Sequence, residues 1–97
     1  MWAYHVTLKE FLPSIARRGL LPSEHRSVEE PAIFVEGDSE EAGLYMESGK
    51  TSMLRFDVAG WDTTEDGEYV IYDRIPPEDI WIRKAGRWKP LLETVTK

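Results

Sequence analysis

The stretch DGEYVIYDRIPPEDIWI, residues 66–82, decides how the rest of the chain is read. Asp66-Gly67 is a turn signal, and Glu68 stands at the mouth of a β-branched and aromatic run, Tyr69-Val70-Ile71-Tyr72. Such side chains suit the pleated, half-buried surface of a sheet. Pro76 and Pro77 cannot donate to a ladder, so the run must break there before it resumes as Ile80-Trp81-Ile82. Two strands separated by a proline corner are therefore expected. A carboxylate at the start of a central strand lies at the edge of the sheet, where a cleft can form.

Working outward, Ala85-Gly86 reads as a hairpin turn joining a strand at 80–83 to one at 88–91, with 93–97 as a fraying tail. On the N-terminal side, 60–67 reads as a loop. Before it, Leu54, Phe56 and Val58 alternate with Met53, Arg55 and Asp57, the pattern of a half-buried strand. Ala32-Ile33-Phe34-Val35 is another strand. Asp38 and Glu41 have capping-box spacing, which predicts a helix containing Ala42, Leu44 and Tyr45, ending near Gly49 and weakened by Gly43.

Residues 23–31 are polar, include His25 and read as an exposed loop, while Leu20-Leu21-Pro22 returns the chain to the core. Trp2-Ala3-Tyr4-His5-Val6 reads as a short strand, and Thr7 with Glu10 again has capping-box spacing. Pro13 fits best in the first turn of a helix running to Arg18, after an irregular turn over 7–11. Arg17-Arg18 followed by Gly19 is a helix stop. The sum is one α+β domain over residues 1–97, with about six short strands and two helices in the N-terminal half.

Composition narrows the function classes. Ninety-seven residues, 41% hydrophobic with four Trp, four Tyr and three Phe, supply one core. No apolar run approaches the roughly 20 residues that span a bilayer, and no basic-then-apolar leader opens the chain, so neither a membrane span nor a secretory signal is expected. The absence of cysteine removes disulfides and thiolate chemistry and fits a cytoplasmic protein. The net charge of −6 argues against direct nucleic-acid binding unless basic residues cluster. They do so only weakly, at Arg17-Arg18 and at Arg83, Lys84, Arg87 and Lys89. An ordinary acidic surface is the plain reading; an acidic face that docks on a basic, nucleic-acid-binding protein is the sharper one.

Taken one at a time, the candidate residues carry little. His5 and His25 lie far apart without partners at metal-ligand spacing, and no HExxH, Walker lysine loop or GxSxG is present. A lone histidine on a strand is more often a satisfied structural residue than a ligand, and Glu68 alone is more often a solvated turn residue.

Their order along the chain says more. Tyr4-His5-Val6-Thr7, then Leu12-Pro13-Ser14-Ile15 and Arg18-Gly19-Leu20, resembles the opening of ADP-ribosyltransferase-like proteins, in which a strand ending in His-x-Thr precedes a helix and a Gly-Leu exit. Ile33-Phe34-Val35 followed by Asp38-Ser39-Glu40-Glu41-Ala42 and Tyr45 resembles the superfamily's second strand and the helix bearing its motif tyrosine. Glu68-Tyr69-Val70-Ile71 with Ile75-Pro76-Pro77-Glu78-Asp79-Ile80 resembles the third motif, and the nearest branch is the His-Tyr-Glu type. In its Glu-strand-corner pattern the chain is also similar to the DNA-modifying toxin members. The resemblance runs from Tyr4 to Ile82.

The resemblance implies an ADP-ribosyltransferase-like fold and NAD as substrate. It implies that His5 holds the NAD ribose with Thr7 nearby and that Tyr45 stacks on the nicotinamide. It assigns Glu68 the catalytic role, binding a ribose hydroxyl and stabilising the positive charge that develops as nicotinamide leaves. ADP-ribose would pass to a macromolecular acceptor that the sequence does not name. The alternative is a non-catalytic binding protein or inhibitor of the same fold that uses Glu29, Glu30, Glu36, Asp38, Glu40 and Glu41 to occupy a basic partner site. The four Trp also leave room for an apolar interface within an oligomer, whose state the sequence leaves open.

Overall fold

The computed structural model describes residues 1–25 and 28–95. Two antiparallel sheets carry the chain. The first has the order β1-β3-β6-β7, built from β1 (Trp2–Leu8), β3 (Thr51–Asp57), β6 (Trp81–Lys84) and β7 (Arg87–Pro90). The second has the order β2-β5-β4, from β2 (Ile33–Val35), β5 (Tyr69–Ile71) and β4 (Asp62–Thr63). Three short helices accompany them: α1 (Leu12–Arg18), α2 (Ser39–Gly43) and α3 (Leu91–Thr94). Among the described residues this makes a small α+β structure with seven strands, close to the expected pattern.

The organising stretch behaves as its residue types require. Tyr69–Ile71 is the central strand of the second sheet, pairing with β2 on one side and β4 on the other. Pro76 stands in extended backbone before a 3-10 turn at Pro77–Asp79, and the chain then enters β6 in the other sheet. The proline corner is therefore the crossing point between the two sheets. Ile75 completes that corner by pairing with Leu20, through backbone bonds of 2.9 and 3.0 Å, just beyond the end of α1.

Both sheets face one core. Ala3, Leu54, Phe56 and Ile82 from the first sheet meet Ile33, Val35 and Ile71 from the second, and α1 adds Leu12, Ile15 and Ala16. Pro13 sits in the first turn of α1, where its missing N–H costs no helical hydrogen bond. The two sheets touch directly where Tyr4 and Glu36 exchange backbone hydrogen bonds of 3.0 and 2.8 Å. Beyond that rung β1 and β2 part company.

Several expectations are corrected. Thr7 does not cap a helix; it is buried in β1 opposite Ser52, and the strand runs on to Leu8. Continued pairing with β3, extended by a Lys9 N–H to Lys50 bond of 2.9 Å, outweighs the local cap. Asp38 does cap α2, its carboxylate accepting the Glu41 N–H at 2.8 Å, but the helix stops at Gly43 rather than near Gly49. Leu44, Tyr45 and Met46 follow in turns that bond to Glu41, Ala42 and Gly43. The 60–67 loop contains β4, and β7 starts at Arg87, one residue early. Met53, placed on the polar side of the alternation, is buried, and it borders a hollow shared with Gly43 and Met46. Arg26 and Ser27 of the 23–31 loop, and Thr96 and Lys97 of the tail, lie outside the described residues.

Candidate functional site

The divergence of β1 from β2 produces the site. His5 follows the Tyr4–Glu36 rung, which among the described residues is an isolated bridge between β1 and β2. Its imidazole takes over: Nδ1 lies 2.7 Å from the Phe34 carbonyl. A carbonyl only accepts, so Nδ1 carries the proton and Nε2 keeps the lone pair. Burial pushes the His5 pKa below its ordinary value, and the bond to Phe34 only partly offsets this. The ring at the split is therefore neutral and fixed in one tautomer.

A cleft of about 370 Å³ opens at this point, lined among others by His5, Val35, Glu36, Tyr45, Glu68 and Tyr69. Three residues separated by 63 positions in the chain thus share one cavity wall. His5 arrives on β1. Tyr45 arrives from the turn after α2, which its Asp38 cap and the buried Ala42 hold against β1. Glu68 arrives at the entry to β5, where its backbone N–H bonds Thr64 Oγ1 at 3.1 Å and its carbonyl accepts the Thr64 N–H at 2.8 Å. Gly67 takes a φ of +84° in that turn, a conformation glycine adopts freely.

Thr7 does not join them. Strand side chains alternate, so Thr7 shares a face with His5. It lines a separate cavity of about 450 Å³ with Phe11, Ile15, Leu20 and Phe34. His5 borders both spaces.

The cleft also holds residues to which the motifs assign no role. Tyr69 stacks on Trp61 with centroids 5.1 Å apart, and both rings pack against Gly37. His25 lies against Phe34 at 4.6 Å and reaches the lining from the 23–31 loop. Glu36 is the chemically loudest of these. Desolvation first, then the neighbouring Glu41 and Asp38 carboxylates, raise its pKa, while a hydrogen bond from Tyr45 works the other way. The period-2 pattern of β2 places Glu36 at the strand end; only the pairing with Tyr4 brings it to the cleft.

The chemical repertoire is two imidazoles, with that of His5 neutral and offering Nε2 as an acceptor, three tyrosine rings and two carboxylates. Among the described residues no group of three or more His, Asp or Glu side chains is arranged to hold a metal ion. No helix among them is long and apolar enough to cross a membrane. Compared with protein-family models, curated proteins and solved structures, the chain matches none of them. Function must therefore be argued from the cleft.

Proposed function

We propose that this chain is a mono-ADP-ribosyltransferase-like protein that binds NAD in the cleft and transfers ADP-ribose to a macromolecular acceptor. The supporting observation is that His5, Tyr45 and Glu68, the residues the sequence resemblance singles out, line the same cavity. On this reading the two-sheet α+β framework is the ADP-ribosyltransferase-like fold, an assignment that rests on the order of the three motifs.

The residues suit the task. His5, its Nδ1 committed to Phe34, offers Nε2 as an acceptor for a ribose hydroxyl. Tyr45, 64% exposed at the rim, offers a ring face for the nicotinamide. Glu68 is also exposed, so its carboxylate is reachable. It accepts a ribose hydroxyl and stabilises the positive charge that develops on the ribose as the bond to nicotinamide breaks. Thr7 has no part in this assignment because it lines the other cavity. For the alternative of an acidic inhibitor, Glu36 lies close to the Asp38 and Glu41 carboxylates, but it also lines the cleft itself.

The test is an NAD titration followed by amide and side-chain NMR on the wild-type chain, Tyr45→Ala and Glu68→Gln. Saturable shifts at His5, Tyr45 and Glu68, weakened in Tyr45→Ala, are expected. An unchanged spectrum at millimolar NAD would overturn the reading.

A further inference from the structure

The outer face of the four-stranded sheet has an unusual composition. Trp2 and Tyr4 on β1, Arg55 on β3, Trp81 and Arg83 on β6 and Trp88 on β7 fall on one side, by the strand register and the alternation of side chains. Contacts agree with that placement. The Arg55 guanidinium lies 4.1 Å from the Trp2 ring centroid and 4.5 Å from that of Trp88, and Tyr4 approaches Trp88 at 5.9 Å. Trp2 is 38% exposed, and Tyr4, Trp81 and Trp88 are half-buried. Three inter-strand spacings of about 4.8 Å make the face about 14 Å across.

The cations are unspent. Arg83, Lys84, Arg87 and Lys89 crowd the β6–β7 hairpin, all exposed, with no carboxylate between Ile80 and Leu92. Arg83 shares the aromatic face, whereas Lys84, Arg87 and Lys89 fall in register on the Ile82 side and flank the face at the hairpin edge. Among the described residues none of the four forms an ion pair or side-chain hydrogen bond, and the Arg55 Nε is buried without a hydrogen-bond partner. The 12 cations of the chain are therefore unevenly spread, and the acidic total of 18 conceals a basic edge.

We infer that this face docks single-stranded nucleic acid. Bases stack on tryptophan and tyrosine without regard to sequence, while Arg55 and Arg83 on the face, and the hairpin cations at its edge, meet the phosphates. Stacking fixes the Arg55 guanidinium on its two rings, which pre-organises its terminal N–H groups for a phosphate. An acidic peptide would use the cations and leave the aromatic faces without a counterpart. A second copy docked through the same patch would set like charges against each other. Carboxylates more than about 8 Å from the face are largely screened at physiological salt. Asp57, on the face beside Trp2, is paired with the N-terminal ammonium at 2.7 Å. The inference does not depend on the NAD reading.

The experiment is fluorescence anisotropy of a labelled 15-nucleotide oligothymidylate titrated with the full chain at 50 and 200 mM salt, without NAD. Saturable binding is expected, with quenched tryptophan emission. Three or four neutralised phosphates predict a log K against log salt slope of about −2 to −3. The double charge reversal R83E/R87E should flatten that slope by about 1.4. Trp88→Ala should weaken binding about 5- to 150-fold, the range of one lost base stack. Should Trp88→Ala fail to fold, the exposed charge-reversal pair carries the test. No binding at 50 mM salt, or unchanged affinity in R83E/R87E, would overturn the inference. So would displacement of the probe by polyglutamate as effectively as by unlabelled oligothymidylate, which would mark the face as one for acidic polypeptides.

Discussion

At the scale of single residues, the chemistry turns on His5 and the two carboxylates. Because burial depresses the His5 pKa, the unfolded chain binds more protons than the folded one between the lowered value and about 6.5. His5 therefore contributes stability that is complete above about pH 6.5 and is lost as pH falls through that window. The side-chain NMR shift of His5 should accordingly titrate below 6.5; a midpoint above it would contradict the buried neutral ring. Glu36 has the opposite linkage. Its pKa is raised, so the folded chain holds the proton more tightly and stability falls as pH rises from about 4.5 toward the raised value. Glu36→Gln should raise the melting temperature at pH 7 and not at pH 4, by an amount that solvent screening keeps within about 0.5 kcal/mol. Glu68→Gln keeps the shape and removes the charge. Under the transferase reading it should cut NAD turnover about 100- to 1,000-fold, the usual loss for an electrostatic stabiliser, with stability unchanged. His5, Tyr45 and Glu68 were readable as candidates because each sits in a recognisable run. Glu36 was readable as a carboxylate at the end of the second strand, but the rung to Tyr4 that fixes it, and the ring stack that holds Tyr69 at the cleft, are tertiary and were not.

At the scale of elements, local rules held where nothing competed with them. Asp38 caps α2 as its spacing predicts, and its replacement by Ala should cost about 1 kcal/mol, read from urea unfolding. The same signal at Thr7 and Glu10 failed because an extended ladder to β3 had a stronger claim on that backbone. Gly19 shows how a stop signal can carry more than a stop. With φ +82° and ψ −177° it occupies a region that is essentially glycine's alone, and a Cβ there would sit 2.3 Å from the Ile75 carbonyl oxygen. The Arg74 Nε–H also donates to the Arg18 carbonyl, so the end of α1 and the approach to the proline corner are tied together. Gly19→Ala should therefore destabilise the chain by about 1–3 kcal/mol or more. A loss of a few tenths would mean that the helix exit and the corner move independently. Sequence spacing marked both the exit and the corner, but not that they touch.

At the scale of the whole molecule, the two sheets hold a cleft between them only as long as they share a core. Phe56 lies at the middle of that core, fully buried on β3, in one cluster with Ile33, Val35 and Ile71 of the other sheet. A chain of this size buries only part of its surface and has a stability of about 5–15 kcal/mol to lose. Removing the Phe56 ring should cost about 3–5 kcal/mol, through lost burial and the cavity left behind. If the core is common, Phe56→Ala shifts near-ultraviolet and far-ultraviolet circular dichroism to the same lower midpoint, with the denaturant slope unchanged. The tryptophans give the near-ultraviolet signal its resolution: Trp2, Trp81 and Trp88 report the first sheet, and Trp61 stacks on β5 of the second. Separate transitions would mean that the sheets fold apart. The cleft, which needs His5 from one sheet and Glu68 from the other, would then exist only while both remain folded.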